Sequence, residues 1–181
     1  YENFTKKVIS REEQSDAQQD FLTRIKYSLL NNKLTILADM NGSARTVSID
    51  KDFLTSIGCG FLSFNNQPRE IVHAIIPEPE NLVHCAKKME ELQAQGNNTV
   101  LLGYMPDCDG DRGNIVYWDS KGHKAEVLKA QEVFALSVLS ELSYTAYIHN
   151  AQTAEELQNL KTAVSVNDPT SMRIEEIAGA F

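Results

Sequence analysis

Apolar residues return along this chain in alternating rhythms. Between 17 and 30, Phe21, Leu22, Ile25 and Leu29 recur at the spacing of one helix face, behind an acidic stretch, REEQSD, that suits a helix N-terminus. KLTILAD, at 33–39, is a short apolar run of the kind buried in a sheet. The turn MNGS leads to a second helix whose stripe takes in Val47, Phe53, Leu54 and Ile57, with Gly58 placed to close it. CGFLSF predicts a second strand. After a Pro-rich connection, NNQPREIVHAIIPEPEN, a third helix keeps Leu82, Cys85, Ala86, Met89 and Leu92 on one face. NTVLLGY predicts the third strand and NIVYWD the fourth, closed by a turn at SKGH.

This alternation predicts a three-layer α/β/α domain with a mostly parallel sheet over residues 1–124. Beyond that the character shifts. A long helix over 128–144 is expected to turn Phe134, Val138, Leu139 and Leu142 inward, and a polar stretch, HNAQTAEELQNL, follows. KTAVSVND reads as a further strand, and DPTSMRIEEIAGAF as a helix with Asp168 at its N-cap and Pro169 in its first position. A strand and one helix do not complete a domain, so 125–181 is expected to be the beginning of a second α/β domain belonging to a longer protein.

Charge narrows the setting. Seventeen basic against 25 acidic residues leave a formal charge of -8 in 181 residues, which argues against nucleic-acid or membrane-surface partners. Cys59, Cys85 and Cys108 have no CxxC spacing, so neither a disulfide framework nor a zinc knuckle is indicated, and a reducing, cytoplasmic location fits best. No apolar run approaches membrane-spanning length, and YENFTKKVISREEQ lacks the apolar core of a signal peptide.

The chemistry concentrates in YMPDCDGDRGN, where Asp107, Asp109 and Asp111 alternate directly after the third predicted strand and Arg112 follows at once. Loops at the carboxyl ends of parallel strands are where α/β folds place ligands. Three carboxylates so close repel one another and call for compensating positive charge. The ligand type is hard oxygen, suited to Mg²⁺ or Ca²⁺, and Gly110 supplies a bend. An EF-hand loop fails, because its sixth and twelfth positions would be Arg112 and Trp118. A haloacid-dehalogenase-type phosphatase is weakened by Asp111 standing where Thr or Val belongs.

DCDGDR resembles the Asp-x-Asp-x-Asp-Arg metal loop of the alpha-D-phosphohexomutase superfamily, which includes phosphoglucomutases and phosphomannomutases. ILADMNGSAR resembles the strand-to-helix turn opening the second domain of those enzymes, PEPENL their Pro-Glu-Pro stretch, and AVSVNDPTSMRIEEIA the start of their third domain. The resemblance implies a four-domain enzyme moving phosphate between the 1 and 6 positions of a hexose through a phosphoserine and a bisphosphorylated intermediate. Asp107, Asp109 and Asp111 would then hold Mg²⁺ against the serine phosphate, with Arg112 catalytic beside the reacting centre. A glucose or mannose phosphate is the implied substrate, and the remaining domains of the same chain the implied partners.

The family's Thr-Ala-Ser-His-Asn-Pro-like serine motif is not present, nor are its sugar and phosphate loops, so this polypeptide alone is expected to be inactive. Departures inside the matched region are Cys108, Gly113 and Asn114, and Asp168 where many members carry a basic residue. Two other readings stand beside the mutase. One is a self-sufficient Mg²⁺-dependent phosphatase with Asp107 as nucleophile and Asp109 as acid/base; the other is a noncatalytic binding module of the same fold. His73, His84, His123 and His149 have no metal-ligand spacing and read as surface or packing residues. Trp118 reads as core rather than as a sugar platform, Cys108 as inert, and Gly42 as a simple connector.

Overall fold

The computed structural model describes residues 2–74, 76, 78–110, 112–166 and 172–181. Asp111, Asp168 and Pro169, each given a role above, lie outside the described residues. The chain divides into two compact units, Tyr1–Leu128 and Lys129–Phe181, taken here one at a time.

In the first unit, helices α1 (Glu2–Ser10) and α2 (Asp16–Asn31) pack together. Ser15 caps α2, its side chain accepting from Gln18 N at 3.2 Å. The buried Gln18 amide donates to Ser10 Oγ and to the Glu12 carbonyl, satisfying a polar group that burial would otherwise penalise. Strand β1 (Thr35–Asp39) is buried along almost its whole length, as expected of a strand covered on both faces. A 3-10 turn (Ala44–Val47) and helix α3 (Asp50–Ser56) follow, then β2 (Gly60–Phe64), α4 (Pro79–Ala94), β3 (Val100–Pro106), β4 (Gly113–Asp119) and β5 (Lys124–Val127).

The sheet order is β2-β1-β3-β4-β5. β1 pairs in parallel with β2 and β3, whereas β3 with β4 and β4 with β5 are antiparallel. The α/β class therefore holds, with the parallel part confined to three strands. Leu82, Cys85 and Met89 of α4 pack against Leu37, Val100, Met105 and Val116 on one sheet face, forming the core. On the other face, Ile36, Leu102, Tyr104 and Ile115 meet Phe53 and Leu54 of α3 around a cavity of about 420 Å³. Because β1, β2 and β3 run the same way, Asp39, Phe64 and Pro106 end at one edge, and the aspartate loop is the hairpin that leaves this edge from β3 and returns as β4.

Several expectations are corrected. The helix after β1 is broken into a 3-10 turn and α3, and Val47, assigned to its apolar stripe, is 75% exposed. The turn expected at SKGH is present, and two elements come in addition to those expected: a fifth strand after that turn and a helix from residue 2 to 10.

The second unit contains α5 (Ala130–Ile148), α6 (Ala154–Asn159) and α7 (Arg173–Ala180). The buried stripe of α5 is Ala135, Val138, Leu142 and Ala146; Phe134 and Leu139, expected to point inward, are exposed. α6 arises inside the polar stretch because Thr153 and Glu156 close a capping box, the Thr153 side chain accepting from Glu156 N at 3.3 Å. Residues 161–166, expected to form a strand, have no regular secondary structure; the other described elements of this unit are helices, which offer no edge to pair with. Val164 instead packs with Ile177 and Phe181 against the cluster of Ala135, Val138, Leu142 and Ile174.

Candidate functional site

Strand β3 delivers a buried Pro106 and then Asp107 to the parallel edge of the sheet. Asp107 staples its own loop. Its Oδ1 accepts from Gly110 N at 3.1 Å and Arg112 N at 3.2 Å, while its own N–H donates to the Arg112 carbonyl at 3.0 Å. Arg112 Nε lies 3.1 Å from Asp107 Oδ2, although most of the Arg112 side chain is exposed. Part of the positive charge that clustered carboxylates demand is therefore supplied by the loop itself. Asp109 and Cys108 point to solvent-exposed positions two and one residues further on.

The turn after β1 supports this loop from below. Ala44 N donates to the Cys108 carbonyl at 2.9 Å. Gly110 has φ +78, and a Cβ there would stand 2.6 Å from both Cγ and Cδ of Arg45, so the Arg45 stem occupies the space a side chain would need. Arg45 is in turn held by a buried acid: Nε and Nη2 donate to Asp50 Oδ2 and Oδ1 at 3.0 and 2.5 Å, and Tyr104 OH donates to Asp50 Oδ2 at 2.6 Å. Burial and the Asp50 carboxylate both push the Tyr104 phenol well above its ordinary pKa.

A second polar network, which sequence reasoning missed, sits at the same edge. Asp39, fully buried at the end of β1, accepts from Asn65 Nδ2 at 3.0 Å and lies 2.9 Å from His73 Nε2. His84 stacks on His73 with ring centroids 4.2 Å apart. Asn41, with φ 42, uses its side-chain oxygen to accept from Val72 N and His73 N at 2.9 and 3.1 Å, and its amide to donate to the His73 carbonyl at 2.9 Å. Gly42 is more than a connector: a Cβ there would lie 2.5 Å from the Glu70 carbonyl oxygen. These bonds tie the segment around 65–74 over the strand end. Burial, followed by the nearby Asp39 charge, pushes the Cys85 thiol from its ordinary 9.0 up to about 12. Ser43 Oγ, directly after Gly42 in the turn that follows β1, is buried with no hydrogen-bond partner among the described residues.

Asp107 and Asp109 belong to one loop, and both are hard-oxygen donors of the kind a small divalent cation takes. Among the described residues no three His, Cys, Asp or Glu side chains are grouped to hold a metal ion. His73 and His84 come together, though with each other and Asp39 rather than with the aspartate loop.

No protein-family model matches the chain. No curated protein matches it either. Among solved structures it is similar to a phosphoglucomutase/phosphomannomutase family protein from Burkholderia thailandensis, at 19% sequence identity and a TM-score of 0.51, over 78% of this chain. The chain spans 31% of the length of that protein. Over most of its length, then, the chain shares the fold of part of a phosphoglucomutase/phosphomannomutase family protein.

Proposed function

We propose that the chain is the metal-loop-bearing part of a phosphohexomutase, an intramolecular phosphotransferase that moves phosphate between the 1 and 6 positions of a glucose or mannose phosphate through a phosphoserine in another domain. One observation carries this reading: an Asp-x-Asp-x-Asp-Arg loop leaves the carboxyl edge of three parallel strands, in a fold shared with a phosphoglucomutase/phosphomannomutase family protein.

Asp107, Asp109 and Asp111 are the residues proposed to hold Mg²⁺. When bound, the ion supplies charge neutralisation for phosphoryl oxygens. Asp107 has a double task, since the same carboxylate orients the loop through Gly110 and Arg112. Arg112 anchors on Asp107 and keeps an exposed guanidinium at the loop's outer side, where it is suited to contact substrate phosphate. The buried Asp50 holds both Arg45 and Tyr104, and the Arg45 stem in turn packs beneath Gly110 of the loop. A cytoplasmic location is part of the proposal.

The test is made on the protein encoded by the longer reading frame containing this segment. It should convert glucose 1-phosphate or mannose 1-phosphate to the 6-phosphate, lose activity to a chelator and lose about a hundredfold or more in kcat on Asp109→Asn. The 181-residue chain alone should give no turnover. Turnover by the short chain, or none by the long one with either sugar, would reject the proposal.

A further inference from the structure

A second cleft lies at the opposite end of the β3–β4 hairpin, between the last turns of α4 and the sheet. Its volume is about 770 Å³, and its lining includes Leu101, Trp118, Glu90, Gln93, Asn98 and His123. Asn98 precedes β3 and His123 follows β4, whereas Asp107 follows β3 at its other end, so the two places are separated by roughly 20 Å of strand at about 3.3 Å per residue.

The composition of the cleft is specific in kind. Trp118 packs partly against the core, as its sequence position suggests, yet it also lines the opening. Leu101 beside it is 37% exposed, so the cleft presents an apolar floor next to an indole. The rim is polar, and its first two members are fixed in place. Glu90 Oε1 accepts from Ala125 N at 3.2 Å, and Gln93 Nε2 donates to the Val100 carbonyl at 2.8 Å, so each is anchored while Glu90 keeps its second carboxylate oxygen and Gln93 its one amide oxygen as acceptors. Asn98 and His123 are exposed and add further donors and acceptors. Among the described residues the lining contains no Lys or Arg and does contain the Glu90 carboxylate, so it is poorly matched to a phosphate or another anion.

An aromatic face bordered by preset amide and carboxylate groups, without cationic side chains, suits a ligand with an apolar C–H face and a girdle of hydroxyls. We propose that this cleft binds a neutral saccharide, with a pyranose ring against Trp118 and its hydroxyls on Glu90, Gln93 and Asn98. The site is independent of the phosphohexomutase reading, since it shares no residue with the aspartate loop.

Trp118 is the sole tryptophan, so its fluorescence reports the site directly. Titration of the full chain with methyl glucoside or maltose should change the emission saturably, with a millimolar dissociation constant. In ¹H–¹⁵N spectra the same titration should move the Trp118 indole N–H and the Gln93 and Asn98 side-chain amides, while the amides of 107–112 stay in place. Asn98→Ala, a surface change expected to fold normally, should weaken binding about fivefold by removing one hydrogen bond. No saturable change by about 50 mM sugar, shifts confined to the aspartate loop, unchanged affinity in Asn98→Ala, or saturation by adenosine where the glycosides have no effect would each overturn the proposal.

Discussion

Replacing Gly110 by alanine strains the aspartate loop through two separate terms. The residue has φ +78, a left-handed conformation that costs a side-chain-bearing residue about 1 kcal/mol. The added Cβ would also meet Cγ and Cδ of Arg45 at 2.6 Å. That stem cannot swing aside freely, because its guanidinium is doubly bonded to the buried Asp50. Either Arg45 loosens its hold on Asp50, or the loop lifts and gives up the bond from Ala44 N to the Cys108 carbonyl. Weakening a charge-assisted bond to a buried carboxylate costs about 2 kcal/mol. Together the two terms reach about 3 kcal/mol, a large part of the roughly 5–15 kcal/mol that stabilises a domain. Urea unfolding followed by Trp118 emission reads this directly, since the tryptophan lies in β4 of the same unit. In an Arg45→Ala background the steric term disappears and only the backbone term of about 1 kcal/mol remains, so the cycle should show a coupling of about 2 kcal/mol. A Gly110→Ala change below about 0.5 kcal/mol, or full additivity with Arg45→Ala, would refute the argument that the Arg45 stem supports the loop.

Asn41→Ala removes bonds to Val72 and His73 and should cost about 2–3 kcal/mol; trypsin should then cut faster after Arg69, and an unchanged cutting rate would contradict the assigned tether. The Cys85 thiol is raised from 9.0 to about 12, so the unfolded chain loses this proton first as pH rises. Its stabilising effect is therefore complete below about pH 9 and is lost toward pH 12, with a slope of up to about 1.4 kcal/mol per pH unit that Cys85→Ala should reduce. Iodoacetamide at pH 8 should label the exposed Cys108 and spare buried Cys59 and Cys85 until urea is added; labelling of Cys85 in the folded chain would contradict its burial.

The parts legible in the sequence are those where burial follows a simple period. Leu82, Cys85 and Met89 mark the inner face of α4 because that helix packs across the sheet with one stripe, and TILAD reads as a strand because β1 is covered on both sides. Period fails where the decisive interaction is local capping or distant pairing. The helix α6 depends on the Thr153 and Glu156 box in an otherwise polar run, and β5 is defined by its pairing along Val116–Asp119 of β4. Val164 belongs to an apolar alternation yet joins a helical cluster, which no periodicity can distinguish from a strand.

At the candidate site, the placement of Asp107, Asp109 and Arg112 after one strand is visible in the sequence, but what each of them bonds to is not. That Asp107 bonds backward to Gly110 and Arg112 is a property of the hairpin's closure. The meeting of Asp39 with His73 across 34 residues depends on the segment after β2 folding back over the end of β1. An Asp at a strand terminus followed by Asn-Gly was the available sign of that network, and without the fold it names no partner.

The central claim is that the aspartate loop is a site for a hard divalent cation, and a Mg²⁺ titration of the ¹⁵N-labelled chain tests it most directly. Saturable shifts of the amides of 107–112, lost in Asp109→Asn, are the expected result. An unresponsive loop at about 50 mM Mg²⁺, or an identical response from the Asp109→Asn chain, would contradict the claim.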